Sequence, residues 1–360
     1  MATPFKQMFF QRPFYDRLAA EIRRVHPRFD SRGFMRAAVD EQFEARELMD
    51  RMHHTTEVLH RFLPADYREA LAILLKVEKQ FSGFDHMAFA DFVGRFGVAD
   101  FDASIAALEV LTRTSAEFAI RPFIRAHPEK TLARMLTWTS HPGEHVRRLA
   151  SEGCRPRLPW GSALTELQRD PSPILPILEK LRDDPSEKVR RSVANNLGDI
   201  AKDHPDLVID LASHWLSESP ARAPLLKHAL RTVMKKGNQR ALALFGIRGE
   251  AGVEVSRLTV TPRSVPLGGA ATLRVALRST RRSPQRLRLE YQLTYARPAG
   301  RTARKVFRIA EVELAAASTL DLTRRLSFAD RSIRRHYKGR HMVTLVVNGR
   351  QLKTARFELV

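Results

Sequence analysis

The feature that most constrains the fold is a gapless internal repeat. The segment HPGEHVRRLASEG (His141–Gly153) aligns with DPSEKVRRSVANN (Asp184–Asn196) at an offset of 43 residues. A period of about 40–47 residues is that of HEAT and armadillo arrays, which stack pairs of helices. In such a solenoid, equivalent positions of successive repeats line the same surface. The repeat therefore predicts an all-α HEAT-like repeat solenoid, which we assign to residues 1–248.

After Gly252 the apolar period changes from helical to two. In RLRLEYQLTY, apolar residues from Leu287 to Tyr295 alternate with polar ones, and ATLRVALR and MVTLVV alternate likewise. Alternation of this kind predicts strands, and TPRSVPLGG, RPAG and VNGR supply turns between them. About seven strands in this length are typical of an immunoglobulin-like sandwich. We therefore predict a multidomain chain in which the solenoid is followed by an all-β immunoglobulin-like sandwich over residues 253–360.

The charge of the chain favours a polyanionic partner. The 360 residues carry 61 Lys and Arg against 40 Asp and Glu, a formal net charge of +21. Residues 252–360 carry 23 of these bases and only 7 of the acids. Such a balance favours nucleic acid first and an anionic membrane surface second.

Much of this basic charge lies in RPAGRTARK and DRSIRRHYKGR, which are predicted to be loops that reach a phosphate-lined groove. The DNA-binding residues predicted in these two segments are Arg301, Arg304, Lys305, Arg334, Arg335 and Lys338.

The single cysteine favours a reducing compartment, and the first 30 residues favour a cytoplasmic location. The only cysteine, Cys154, excludes an internal disulfide and is expected to be an ordinary buried thiol. The first 30 residues contain no long apolar run, so we expect no signal peptide or membrane span, and a cytoplasmic location. Nothing in the sequence demands more than a monomer.

Polar residues of the two repeats are predicted to share one face. Arg191, Asn195 and Asp199 are spaced i, i+4, i+8, so they stack along one side of a helix. In the preceding repeat, Arg148 and Glu152 occupy the positions equivalent to Arg191 and Asn195. Glu152 and Asp199 should therefore lie on the same concave surface.

Two further features extend this face. Upstream, Glu117, Arg121 and Arg125 again have the spacing i, i+4, i+8. Downstream of Glu152, the segment SEGCRPRLPWG carries Trp160 on a proline-braced basic loop. In this loop Arg155 and Arg157 are further predicted DNA contacts, together with Arg148, Arg191 and Asn195 on the helices.

Acidic residues on a surface meant for DNA need a reason, because each of them repels phosphates. Cleavage of an N-glycosidic bond makes the sugar oxocarbenium-like, and fixed carboxylates near it would stabilise that transient charge. A carboxylate could also orient the attacking water. An N-alkylated leaving base is already cationic and needs no general acid, and the face of Trp160 can hold it by cation–π attraction.

Plainer interpretations compete with this one. Trp160 could be a packing anchor between repeats. Glu117 and Glu152 could simply pair with Arg121 and Arg148 at i+4, a common arrangement on helix surfaces. Asp199 has no basic residue at i−4 or i+4, so surface pairing explains it least and it ranks first as the catalytic acid.

The arginines of the repeat fall into two groups with different expected roles. Arg147 and Arg190 fit plain ladder residues of a solenoid, whereas Arg148 and Arg191 are better candidates for contacts with phosphates or between carboxylates. The P-loop, zinc-deaminase and nucleophile-elbow motifs are absent, which removes several other nucleic-acid chemistries.

Three segments resemble the AlkC branch of bacterial DNA alkylation repair glycosylases: TSAEFAIRPFI, SEGCRPRLPWG and DDPSEKVRRSVANNLGDIAKDHP. They lie in order between Thr114 and Pro205. A subset of that family adds a C-terminal immunoglobulin-like domain to HEAT-like repeats. The resemblance implies excision of 3-methyladenine and similar cationic lesions from duplex DNA, without metal, cofactor or base extrusion. By motif position it implies that Glu117, Glu152, Trp160 and Asp199 form the active site, and that the C-terminal domain is a second DNA clamp.

Two other functions stay open at this stage. One is a DNA-binding or damage-sensing protein that releases no base, and the other is a protein-interaction scaffold, since many HEAT arrays bind proteins. A pure binder has no reason to place three carboxylates on one face, and this argument favours the enzyme.

Overall fold

The computed structural model describes residues 5–330 and 335–360. By compactness the chain divides into two units, Met1–Asp203 and His204–Val360. The predicted order of helices followed by strands is confirmed: the last helix ends at Ala243 and the first strand begins at Val253. None of the helices in the described ranges is long and apolar enough to cross a membrane.

The helices are α1 (Arg12–Val25), α2 (Ser31–Ala38), α3 (Leu48–Phe62), α4 (Tyr67–Val77), α5 (Met87–Phe96), α6 (Phe101–Leu111), α7 (Arg121–Ala126), α8 (Pro128–Trp138), α9 (Glu144–Glu152), α10 (Thr165–Arg169), α11 (Leu175–Leu181), α12 (Glu187–Ile200), α13 (Pro205–Glu218), α14 (Ala223–Ala229), α15 (Arg231–Lys235) and α16 (Gln239–Ala243). Short 3-10 turns lie at Phe5–Gln7, Phe43–Ala45, Glu78–Gln80, Phe84–His86, Ser172–Ile174, Pro220–Arg222 and Pro298–Gly300.

The 43-residue repeat is confirmed by α9 and α12, which start at equivalent glutamates, Glu144 and Glu187. The two helices pack on each other, and each also packs on the helix before its own, α8 or α11. Their apolar stripes are buried, because Val146 and Leu149 of α9 face inward as Val189 and Val193 of α12 do. This burial of one stripe per helix holds the two repeats together.

The arginine ladder is also confirmed. Arg147 donates to the carbonyls of His141 and Pro142, and Arg190 donates to the equivalent carbonyls of Asp184 and Pro185. Each arginine thus satisfies backbone groups of the turn that precedes its own helix. Arg147 additionally pairs with Asp184 at 2.6 Å, so the ladder links one repeat to the next.

The C-terminal strands form two sheets in which all strand pairs but one are antiparallel. They are β1 (Val253–Thr261), β2 (Ser264–Val265), β3 (Ala270–Ser279), β4 (Gln285–Ala296), β5 (Thr302–Leu314), β6 (Thr319–Ser327), β7 (Gly339–Val347) and β8 (Arg350–Leu359). One sheet has the order β1-β3-β6 and the other β2-β8-β7-β4-β5. The extra strand over the seven predicted is β2, whose two residues pair parallel with β8. Alternate residues such as Leu273, Leu289 and Leu345 fill the core of this sandwich.

The second compact unit includes helices as well as the sandwich. Lys227 of α14 pairs with Glu311 of β5 at 2.6 Å, and Glu311 also accepts from Arg288 of β4 at 3.1 Å. Arg288 in turn donates to Glu290 at 2.8 Å. Buried charges are tolerated when they are paired in this way. The change of secondary structure near residue 250 therefore lies inside this unit.

The turn predicted at VNGR joins β7 to β8. Asn348 and Gly349 both have positive φ, 50° and 80°, as a two-residue turn between right-twisted strands requires. Gly349 also touches the helical part of its unit: a Cβ added to it would lie 2.5 Å from the Cα of Gly237. Gly349 is therefore constrained twice, by its backbone angle and by this approach.

We expect Gly349→Ala to lower the free energy of unfolding by about 3 kcal/mol or more, from left-handed strain of about 1–2 kcal/mol plus the clash. Gly268→Ala is the matched control, because Gly268 has the same φ of 80° but nothing within 4 Å of an added Cβ. Urea denaturation of both variants separates strain from clash. Equal losses would mean that the approach of Gly237 contributes nothing.

Candidate active site

Three carboxylates lie at the ends of helices or just before one. Glu152 is the last residue of α9, Asp199 is the last but one of α12, and Glu117 lies in the turn that precedes α7. All three are buried. Because α9 and α12 are equivalent helices packed side by side, the repeat itself brings Glu152 and Asp199 to the same end of neighbouring helices.

Arg155 joins the carboxylates of the two repeats. Its Nη1 donates to Oε1 of Glu152 at 2.6 Å, and its Nε donates to Oδ2 of Asp199 at 2.8 Å. The guanidinium is itself buried, with 8% of the residue exposed. Burial is the largest single influence on the pKa of Arg155 and lowers it. The two carboxylates together outweigh burial, so the pKa is raised. Arg155 therefore remains a cation between two anions.

Arg148 makes the second link. Its Nη2 lies 3.2 Å from Oε1 of Glu117 and 3.9 Å from Oε1 of Glu152. The order of charges along this surface is thus Glu117, Arg148, Glu152, Arg155, Asp199, with an arginine between each pair of acids. The sequence predicted contacts with phosphates or between carboxylates for Arg148 and Arg191, and these distances place Arg148 between carboxylates.

Outer partners complete the network. Ser115 donates to Glu117 at 2.6 Å and Ser192 donates to Glu152 at 2.6 Å. Lys202 donates to Oδ1 of Asp199 at 2.8 Å. Three acids and three bases therefore leave the network formally neutral. The argument that surface pairing does not explain Asp199 was wrong, since Lys202 at i+3 and Arg155 from the other repeat both pair with it.

Arg121 does not pair with Glu117, contrary to the i+4 interpretation. Arg121 is 1% exposed and donates to the carbonyls of Gly153, Arg155 and Ser162, at 2.6 to 3.0 Å. Burial lowers the pKa of Arg121 to about 10, so it stays protonated at neutral pH. The i+4 rule failed because Glu117 lies in a turn before the helix, where its side chain points to Arg148.

The loop after α9 presents Trp160 to solvent. Trp160 is 62% exposed, whereas the other two tryptophans, Trp138 and Trp215, are buried. Its φ is +65°, an unusual angle for a residue with a Cβ. The next residue, Gly161, lies against the ring of Phe118, which follows Glu117. Trp160 is therefore not a buried core residue, and the loop tip lies beside the turn of Glu117.

The remaining helical candidates differ in exposure. Arg157 is half-exposed and pairs with Asp203 through two hydrogen bonds, at 3.0 and 2.8 Å. Arg191 is exposed, with Glu187 at 3.5 Å, and Asn195 is half-buried on the same helix. These residues lie outside the buried network, on positions that solvent reaches.

Four basic residues of the sandwich line one cavity of about 210 Å³. Its lining includes Arg304, Lys305, Arg335, Tyr295, His336 and Arg297. Arg304 and Lys305 belong to strand β5 and not to a loop, which corrects the prediction for RPAGRTARK.

Four residues complete the account of this basic region. Arg297, the first residue of RPAGRTARK, was not among the residues predicted to contact DNA, although it lines this cavity. Arg301 and Lys338 are exposed nearby in the chain, and Arg334 lies outside the described residues.

Neither a metal-binding cluster nor a reactive thiol is found among the described residues. Within residues 5–330 and 335–360, no three His, Cys, Asp or Glu side chains are arranged to hold a metal ion. Cys154 is fully buried, and burial raises the pKa of its thiol to about 12, so it is not a nucleophile at neutral pH. The prediction of an ordinary buried thiol is confirmed.

The fold and the site define the class of this protein. It is a HEAT-like solenoid that carries a paired carboxylate network and is followed by an immunoglobulin-like sandwich. A HEAT repeat model matches residues 174–204, which contain α11 and α12. A model described as "Uncharacterised protein YhaZ, C-terminal Ig-like domain" matches residues 254–360.

Two relatives cover nearly the whole chain. "Uncharacterized protein YhaZ" of Bacillus subtilis (strain 168) is 40% identical over 343 residues, 95% of this chain and 96% of that protein. The alkylpurine DNA glycosylase AlkC of Pseudomonas fluorescens, solved bound to DNA containing an abasic site analog, is also 40% identical. That match has a TM-score of 0.95 and covers 99% of this chain and 100% of the other. The chain therefore belongs to the AlkC family of alkylpurine DNA glycosylases.

The role of Arg121 as the support of the Trp160 loop can be tested. We expect Arg121→Met to lower the free energy of unfolding by about 3 kcal/mol or more, because three carbonyls lose a buried charged donor. Arg125→Met is the control: Arg125 contacts the same loop, at Ser162 and Ala163, from an exposed position. Chemical denaturation measures both. A loss for Arg121→Met no larger than that for Arg125→Met would contradict this role.

Proposed function

We propose that the protein is a DNA glycosylase that hydrolyses the N-glycosidic bond of cationic alkylated purines, of the 3-methyladenine type, in duplex DNA. The observation that carries the proposal is the pair of buried carboxylates, Glu152 and Asp199, held on Arg155. Membership of the AlkC family supports it, as does the likeness to a relative that was solved with abasic-site DNA.

The chemistry follows from where charge develops. As the bond between base and sugar lengthens, positive charge grows on the anomeric carbon and the ring oxygen of the sugar. Carboxylates already fixed in place stabilise that charge without reorganising during the reaction. Asp199 and Glu152 take this role, and one of them orients the attacking water on the face of the sugar opposite to the leaving base. Glu117 is joined to the same network through Arg148.

The ion pairs resolve the conflict between acids and phosphates. Bare carboxylates would repel the DNA backbone, whereas a formally neutral network does so far less. The arginines also hold the carboxylate oxygens in fixed directions, which matters because a displacement of about 1 Å can cost about 100-fold in rate. The lysine and arginine partners thus serve positioning, and the acids serve the transition state.

The leaving base needs little help. An N-alkylated purine carries a positive charge before the bond breaks and leaves as a neutral molecule, so no general acid is required. The exposed face of Trp160 attracts such a cation. In our proposal the lesion is reached in the duplex without base extrusion, and the product is an abasic site on an uncut strand.

The decisive test of the chemistry is Asp199→Asn. We expect release of 3-methyladenine from methylated duplex DNA to fall about 100- to 1000-fold under single-turnover conditions, because a charge that stabilises the transition state is lost while size and one acceptor are kept. Chromatography of the released bases measures this.

Asp102→Asn is the matched control for this test, since Asp102 pairs with Lys130 at 3.1 Å on an exposed surface and should leave release unchanged. If the wild-type protein released no base but bound DNA in a salt-sensitive way, the chain would be a binding protein and not an enzyme. Unchanged release by Asp199→Asn would refute the mechanism while leaving the activity in place.

We propose that the basic sandwich acts as a second DNA clamp through Arg304, Lys305, Arg335 and the neighbouring Arg297 of its cavity, with Arg301, Arg334 and Lys338 nearby in the chain. The supporting observation is the convergence of four cations on one cavity of about 210 Å³. Guanidinium and ammonium groups both bind phosphate oxygens.

For this clamp we expect Arg304→Ala combined with Lys305→Ala to weaken binding to undamaged and damaged duplexes alike. The slope of log K against log salt should fall by about one for each phosphate contact removed. Fluorescence anisotropy over a salt series gives the slope. Arg274→Ala, an exposed arginine of the other sheet, serves as the control. An unchanged slope in the double variant would remove this cavity from the DNA interface.

A further inference from the structure

The aromatic residues around Trp160 carry an inference beyond the carboxylate chemistry. The rings of Phe5 and Phe84 lie 6.5 and 6.1 Å from the ring of Trp160, centroid to centroid. Both meet it nearly edge-on, at interplanar angles of 79° and 70°, and they are almost parallel to each other at 18°. Three rings from three separate segments therefore meet at one point.

Two of these rings are open to solvent. Phe5 is 53% exposed and Trp160 62% exposed, among the most exposed large apolar residues of the described chain. Exposed apolar side chains that touch one another mark an interaction site more than single ones do. Perpendicular aromatic faces in contact also resemble part of the aromatic cages that bind organic cations.

The N-terminal segment is held in place, so Phe5 is not a loose end. Arg51, which is 2% exposed, donates to the carbonyls of Lys6 and Phe10 at 3.2 and 3.4 Å. The backbone N–H of Phe10 donates to Asp85, the neighbour of Phe84. Lys6 pairs with Glu47 at 2.6 Å. These contacts fix the segment against the loop that carries Phe84.

We propose that Phe5 is a second recognition residue for the cationic lesion, forming with Trp160 a two-ring surface for the alkylated base, and that Phe84 positions both rings. This inference rests on the proposed function and names the part of the site that selects a positively charged base. A neutral purine gains dispersion from such a surface, whereas a cationic one also gains the attraction of two π faces. The surface therefore favours lesions that carry a charge before the bond breaks.

The test replaces Phe5 with residues that keep or remove the π face. Phe5→Leu keeps apolar bulk, and Phe5→Tyr keeps the aromatic face. We expect single-turnover release of 3-methyladenine from methylated duplex DNA to fall roughly 3- to 30-fold in Phe5→Leu, the range of a cation–π contact, and to stay near wild type in Phe5→Tyr. Val110→Ala, an exposed apolar residue elsewhere in the same unit, is the control and should change nothing.

Binding to a duplex with a tetrahydrofuran abasic analogue separates recognition of the base from general DNA binding. That duplex has no lesion base, so Phe5→Leu should bind it as the wild type does. The melting temperature of the Phe5→Leu protein should equal that of the wild-type protein. Loss of abasic-site binding in step with loss of release would overturn the inference, as would equal release by Phe5→Leu and the wild type. Absence of release by the wild type would instead sink the proposed function.

Discussion

The site depends on one buried guanidinium. Arg155 lies between Glu152 and Asp199 and bonds to both, and neither acid could be buried this near the other without it. Breaking a buried ion pair on one side typically costs about 3–5 kcal/mol, because a charge is left without a partner. The same contact closes the interface between two repeats. The contact that closes the interface between α9 and α12 therefore also fixes the positions of the two carboxylates.

A second buried guanidinium does the corresponding work for the loop. Arg121 satisfies three carbonyls that would otherwise point into the protein without donors, and the loop of Trp160 runs over it. An exposed aromatic ring is useful for recognition only if its position is defined, since ordering a free loop on binding costs entropy. The hydrogen bonds of Arg121 to this loop, and the contact of Phe84 with the ring of Trp160, provide that definition. The loop of Trp160 is thus fixed beside the turn that carries Glu117.

The local rules of the sequence succeeded or failed for identifiable reasons. Equivalence across the repeat correctly placed Glu152 beside Asp199, and the ladder of Arg147 and Arg190 followed from the same alignment. The i+4 rule assigned Arg121 to Glu117 although Glu117 lies before the helix. It left Asp199 without a partner because it considers neither i+3, where Lys202 lies, nor another repeat. Partners that come from another repeat, as Arg155 does for Asp199, have no signature in local spacing.

The sequence by itself determined the order of the two architectures, the 43-residue repeat, the basic C-terminal part and the family resemblance, because periodicity and composition are properties of the chain. Only the tertiary structure decided which acid meets which arginine and that Trp160 is exposed. It also brought Phe5 to Trp160 from 155 positions away in the sequence. Such contacts join segments distant along the chain, and the packing of helices selects them from many pairs that charge or apolarity alone would allow.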